Sequence, residues 1–187
     1  MKASSALRNR VRIIGGAWRS RVLQFPPQSE LRPTPDRVRE TLFNWLGQSM
    51  AGRTCLDLFA GSGALGFEAL SRGARLVVMV ESDRSACASL QTNAAKLDAQ
   101  HFELMAGDAF RFLAQDTRRF DVIFADPPYS RELLPKLLPL LGTHLTEGGL
   151  VYVEDDAALA PLEGWGIWRS GRAGKAHYYL LRQEQHG

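Results

Sequence analysis

The spacing of apolar positions divides this chain into two unlike parts. From residue 53 onward, short continuous apolar runs alternate with longer amphipathic ones. Strand-like runs occupy 54–59 (TCLDLF), 76–81 (LVVMVE), 101–105, 120–125 (FDVIFA), 149–154 (GLVYVE) and 176–182 (AHYYLLR). Helix-like runs fall between them at 64–72, 83–97, about 108–116 and 131–144. Apolar strands without polar alternation are covered on both faces, so this order predicts an α/β fold with a mostly parallel sheet. Leu133, Leu137, Leu138 and Leu141 give the last helix its apolar face. Pro135 and Pro139 weaken that helix; Pro135 fits a first turn, and the pattern offers no account of Pro139. After residue 150 the alternation stops. "WGIWRSGRAGKAHYYLLR" places turn residues between two β-rich runs, which predicts an antiparallel hairpin at the end of the sheet.

The first part is patterned differently. "VRIIGGAWRSRVLQF" reads as a β-hairpin around Gly15 and Gly16, with arginines between apolar residues. "PPQSELRPTP" follows with four prolines in ten residues, a loop rather than an element. Thr34 is placed to cap a helix with Pro35 at its first position, and Val38, Leu42, Trp45 and Leu46 then share one face. The expected division is an N-terminal extension over 1–35 and the main domain over 36–187.

Charge follows the same boundary. Residues 1–39 carry nine basic side chains against two acids, a net +7, while the remaining 14 bases meet 18 acids, a net −4. A basic arm on an acidic body points to a polyanionic partner, with Arg10, Arg12, Arg19 and Arg21 as candidate RNA contacts. The alternative is a solvated basic tail. There is no apolar run of membrane-spanning length and no signal-peptide pattern at the N-terminus. Cys55 and Cys87 lack metal-ligand spacing, so no metal is expected and both read as reduced thiols of a cytoplasmic protein.

Candidate chemistry begins at "DLFAGSGALG" (57–66). Gly61, Gly63 and Gly66 form G-x-G-x-x-G between a strand and a helix, and Glu81 ends the next strand, placed to accept from ribose hydroxyls. Those features alone fit a nicotinamide cofactor or S-adenosylmethionine equally, or a turn that only packs helix on strand. Asp57 separates them. A pyrophosphate gains nothing from a nearby anion, whereas a methionine ammonium does. Asp108, in "GD" after the third strand, can accept from an adenine amino group. Asp57, Glu81, Asp108 and Asp126 all fall at or just beyond strand carboxyl ends, where ligands of such sheets bind.

The strand 120–125 then runs into "DPPYSRE". Prolines donate no hydrogen bond and hold fixed shapes, so the Asp126 carboxylate and the Pro127 carbonyl can both accept from one exocyclic amine. Tyr129 offers a flat face for stacking a base. Acceptors on an aromatic amine favour a pyramidal, nucleophilic nitrogen, and a base inside a duplex would have to be flipped out to reach them.

Together "DLFAGSGALG", Glu81, "GD" and "DPPY" resemble class I, Rossmann-like S-adenosylmethionine-dependent amino-methyltransferases. "RIIGGAWRSRVLQFP" and "RPTPDRVRETLFNWL" resemble more narrowly the bacterial 16S ribosomal RNA guanine-N2 methyltransferase family, of the guanine(966) type, over about residues 11–182. The resemblance implies a seven-stranded sheet with a reversed final hairpin and an N-terminal extension. It also implies methylation of one guanine in the small ribosomal subunit or its assembly intermediate, by a monomer. Carried over by position, Asp57 with Phe59, Gly61 and Gly63 would face the methionine part of the cofactor, Glu81 the ribose, and Asp108 and Ala109 the adenine. Asp126, Pro127 and Tyr129 would hold the guanine, and the segment 32–43 would close over the cofactor. Beyond residue 155 the match is vaguer. The rival classes are a DNA adenine-N6 methyltransferase, a NAD-binding oxidoreductase, and a non-catalytic ribosome-assembly factor.

Overall fold

The structure, a computed structural model, describes residues 9–27, 33–128 and 130–185. A short antiparallel pair, β1 (Arg10–Arg12) and β2 (Val22–Gln24), precedes α1 (Asp36–Leu46). The alternating part follows as β3 (Thr54–Asp57), α2 (Ala64–Ser71), β4 (Leu76–Glu81), α3 (Arg84–Leu97), β5 (Phe102–Ala106), α4 (Ala109–Gln115), β6 (Phe120–Ala125) and α5 (Ser130–Leu141). It closes with β7 (Leu145–Asp155), β8 (Trp165–Ala173) and β9 (Ala176–Gln183). Seven strands form one sheet in the order β5-β4-β3-β6-β7-β9-β8. The first five are parallel, and β9 runs antiparallel to both β7 and β8. The terminal hairpin expected from the sequence is therefore present.

The sheet is covered on both sides, as its continuous apolar strands require. One face packs Cys55, Val77, Met79, Val122 and Phe124 under α1, α2 and α3, and Val11, Ile13, Leu23 and Phe25 of the N-terminal strands join that same core. The other face packs Leu56, Val78, Ile123 and Val151 under α4 and α5. The chain leaves β3 towards β4 on one side and returns to β6 on the other, so the strand order reverses beside β3. Ligands of such sheets bind at that crevice.

A buried carboxylate fastens the N-terminal strands to the domain. Glu68 on α2 is wholly enclosed and accepts from the backbone N–H groups of Ile14 (3.0 Å) and Gly15 (2.9 Å). It also pairs with Arg72 (2.9 Å) and with the fully buried Arg39 (3.2 Å). Arg39 donates further to the Arg12 and Thr34 carbonyls. This network changes one expectation. The residue preceding α1 is Pro35, and Thr34 makes no side-chain cap; its carbonyl is held by Arg39 instead.

Helix α5 runs through both of its prolines. Pro135 and Pro139 lie four apart on the solvent face, while Leu134, Leu137, Leu138 and Leu141 are buried. A carbonyl left without its helical donor on that outer face is satisfied by water, and the ring faces no packed neighbour. Leu133, expected in the apolar stripe, is only half-buried and turns towards the cleft described below. β7 begins at Leu145, earlier than its apolar run. Its pairing with β6 shifts between Phe120 and Val122, where Gly148 takes a φ of 73°.

Candidate active site

The carboxyl ends of β3, β4, β6 and β7 open into one cleft of about 810 Å³. Its near wall is the turn from β3 into α2. Gly63 precedes the helix with a φ of 80°, and a Cβ there would stand 2.6 Å from the Phe67 ring. Gly66 lies where α2 crosses β4, and a Cβ would stand 2.4 Å from Met79. The glycines therefore allow the helix to start at once and lie close on the sheet, leaving the turn's backbone facing the cleft.

Asp57, Phe59, Gly61, Glu81, Asp108, Ala109, Asp126 and Pro127 all line this space. Gly63 acts behind the wall, shaping the turn. Asp57 is 3% exposed and accepts from the Gly66 N–H at 3.0 Å. Burial pushes its carboxyl up to about 7, against that hydrogen bond, with the Glu81 charge adding to the rise. Glu81 spans the loop: Oε1 accepts from the Gly61 N–H (2.8 Å) and Oε2 from the Asp83 N–H (2.9 Å). Asp108 caps α4 through a bond from the Arg111 N–H (2.9 Å) and is exposed at the cleft rim. That capping duty occupies one of its oxygens and fixes the carboxylate in place.

At the far end, Asp126 leaves β6 and is followed by Pro127 and Pro128, which also line the cleft. The Asp126 carboxyl is held well above the ordinary range, first because it is removed from water, then by the charge and hydrogen bond of Glu154 and by the charge of Asp57. Tyr129 lies outside the described residues. Pro33 and Thr34 reach the cleft from the N-terminal segment, so part of the 32–43 stretch faces it. The rest of that stretch forms α1, and Arg39 is turned inward. Arg10, Arg12, Arg19 and Arg21 lie away from the cleft, exposed on the N-terminal strands and the turn between them.

Sequence reasoning did not single out Glu154, Phe110 or Leu133, all of which line the cleft. Glu154 had a signal: it ends the run 149–154, as Glu81 ends 76–81.

The donor set decides what fits. A buried acid with no cation beside it among the described residues suits an ammonium or sulfonium and opposes a pyrophosphate. Glu81 retains unused lone pairs on two fixed oxygens for ribose hydroxyls. With the strand order and the glycine turn, this defines a class I, Rossmann-like S-adenosylmethionine-dependent methyltransferase.

Known proteins agree. A family model described as Conserved hypothetical protein 95 matches residues 11–182. Ribosomal RNA small subunit methyltransferase D of Escherichia coli is 43% identical over 183 residues, 95% of this chain and 92% of that protein. The protein of the same name from Haemophilus influenzae is 40% identical, over 92% of this chain and 93% of its own length. The solved structure of Escherichia coli yhhF superposes with a TM-score of 0.84 at 40% identity, covering 95% of this chain and 99% of that one. An RNA methyltransferase from Salinibacter ruber, solved with S-adenosyl-L-homocysteine, shares the fold at 23% identity and a TM-score of 0.67, over 83% of this chain and 97% of its own. The chain belongs to the family of ribosomal RNA small subunit methyltransferase D.

Proposed function

We propose that the chain methylates the exocyclic N2 of one guanine, of the guanine(966) type, in the 16S ribosomal RNA of the small subunit or its assembly intermediate. One observation carries the reading: the acids suited to a cationic nucleoside, Asp57 and Glu81, open into the same cleft as Asp126, Pro127 and Pro128. The names of the closely similar relatives supply the substrate class.

S-adenosylmethionine supplies an electrophilic methyl group on a sulfonium. Asp57 holds the positive charge of its amino-acid end, Glu81 the ribose hydroxyls, and Asp108 with Ala109 the adenine. Asp126 and the Pro127 carbonyl accept hydrogens of the base amine, which concentrates the nitrogen lone pair for attack. Two successive prolines offer no N–H to compete, and their rings hold the acceptors still. The carboxylate stabilises the charge that develops on N2, and its raised proton affinity suits it to take the proton the product sheds. Tyr129 stacks on the base. A single chain supplies both ends of the cleft, so the reaction needs no second copy, and the setting is the cytoplasm, where small subunits assemble.

The RNA approaches from the basic arm. Val11 and Leu23 are buried while Arg10 and Arg12 are exposed, so the short strand turns its arginines outward. Arg21 reaches the Lys96 carbonyl at 3.0 Å, which steadies the arm against α3. Labelled methyl transfer from S-adenosylmethionine tests the substrate. Small subunits should take up label, and naked adenine-rich DNA should not; label in DNA alone would replace this reading by the adenine-N6 one.

A further inference from the structure

Glu154 has no role in the reaction as described so far, yet it stands beside the residue placed at its centre. In the parallel register of β6 and β7, Ala125 pairs with Val153. Asp126 and Glu154 are the next residues on the two strands, and both side chains face the cleft. The two carboxyl groups are hydrogen-bonded to one another, which requires a proton between them. On its other side, Glu154 Oε1 accepts from the hydroxyl of the buried Tyr152 at 2.5 Å. That bond anchors one oxygen and leaves the other turned to Asp126 and the cleft. A surface glutamate serving only to solvate a strand end would need no buried tyrosine to orient it.

We propose that Glu154 reads the base: its carboxylate accepts the N1–H of guanine beside the amine held by Asp126 and Pro127. The inference rests on the guanine-N2 reading above. Its chemistry follows from the Watson–Crick edge. Guanine presents N1–H and N2–H as adjacent donors, and two adjacent carboxyl oxygens match them once their shared proton has left to solvent. Adenine presents an amine beside a bare N1 lone pair, which would face an anion. Glu154 therefore separates guanine from bases that carry an amine but lack the neighbouring N–H. A site built around such a donor discriminates strongly, because its own acceptor is otherwise left unpaired.

The test uses small subunits reconstituted with guanine or 2-aminopurine at the target nucleotide. 2-Aminopurine keeps the 2-amino group but carries a lone pair at N1. The intact enzyme should methylate guanine about 10²-fold faster under kcat/KM conditions. In Glu154→Gln, the Tyr152 hydroxyl still holds Oε1, and the amide presents N–H to the base. Methylation of guanine should fall, that of 2-aminopurine should rise, and the preference should shrink to a few-fold or reverse. Glu154→Ala, which presents neither donor nor acceptor, should erase the preference by slowing guanine alone. A thermal melt and unchanged S-adenosylhomocysteine affinity confirm an intact fold for each variant. A folded Glu154→Gln or Glu154→Ala enzyme that keeps the full guanine preference overturns the inference and leaves the guanine-N2 reading standing. Equal rates on the two bases with the intact enzyme overturn it without any variant. Failure of the intact enzyme to methylate guanine N2 at all removes the guanine-N2 reading itself, and this inference with it.

Discussion

Asp57 holds its proton to about pH 7 because it is buried with a single backbone N–H to support its charge. A folded-state value above the ordinary carboxylate value stabilises the protein at low pH, and that contribution is lost as pH rises through about 7. Melting temperature of the free protein should therefore decline between about pH 5 and 8, and Asp57→Asn should flatten the decline. Ligand binding has the opposite sign. A cation beside Asp57 favours the carboxylate, so affinity for S-adenosylhomocysteine should rise about tenfold from pH 6 to pH 8 and level off above. Calorimetry in buffers of different ionisation enthalpy would show proton release below pH 7; affinity independent of pH would place the cation elsewhere. Asp126→Ala should behave differently, losing about 10²–10³ in single-turnover rate with cofactor affinity unchanged, because its bond matters while charge develops on the amine. Glu81→Ala should weaken S-adenosylhomocysteine binding roughly ten- to a hundredfold, the value of a charge-assisted hydrogen bond of about 1.5–3 kcal/mol, and loosen the Gly61 turn it holds. These residues were legible because each ends a strand or belongs to a local motif. Glu154 was less so: its meaning depends on lying beside Asp126, which only the β6–β7 register brings about.

At the scale of elements, the alternation of apolar runs announced the strands and helices of the main sheet, because buried parallel strands and the helices that cover them differ in period. It failed where long-range contacts decide. No local feature of 33–39 reveals that Arg39 is wholly buried, since its partner Glu68 lies 29 residues away on α2. The same pair displaced the expected Thr34 cap. Pro139 was misleading for a complementary reason: its cost depends on which way the helix faces, and the buried leucines turn it outward. The Glu68 cluster joins β1, α1 and α2, so the N-terminal strands should unfold with the domain. Glu68→Gln leaves Arg39 buried without its anion and should cost about 3–5 kcal/mol, a typical loss for one partner of a buried ion pair. Urea denaturation followed by circular dichroism measures it; a change below about 1 kcal/mol would mean the cluster is replaceable by water.

For the whole molecule, the separation of a basic arm from an acidic, cleft-bearing body predicts separable functions. Replacing Arg10, Arg12, Arg19 and Arg21 together by Gln should weaken small-subunit binding and flatten its salt dependence, since each phosphate contact releases condensed counterions. All four are exposed, so the thermal melt should change little. Identical salt slopes for two well-folded proteins would remove the arm from the RNA interface. The central claim is the identity of the methylated atom. It is tested most directly by incubating unmodified small subunits with labelled S-adenosylmethionine and the intact enzyme, then digesting the RNA to nucleosides and separating them by chromatography with mass detection. The account predicts label in N2-methylguanosine, at one residue per subunit, and its loss with Asp126→Ala. Label in N6-methyladenosine, or in any nucleoside methylated at a ring nitrogen, would contradict it.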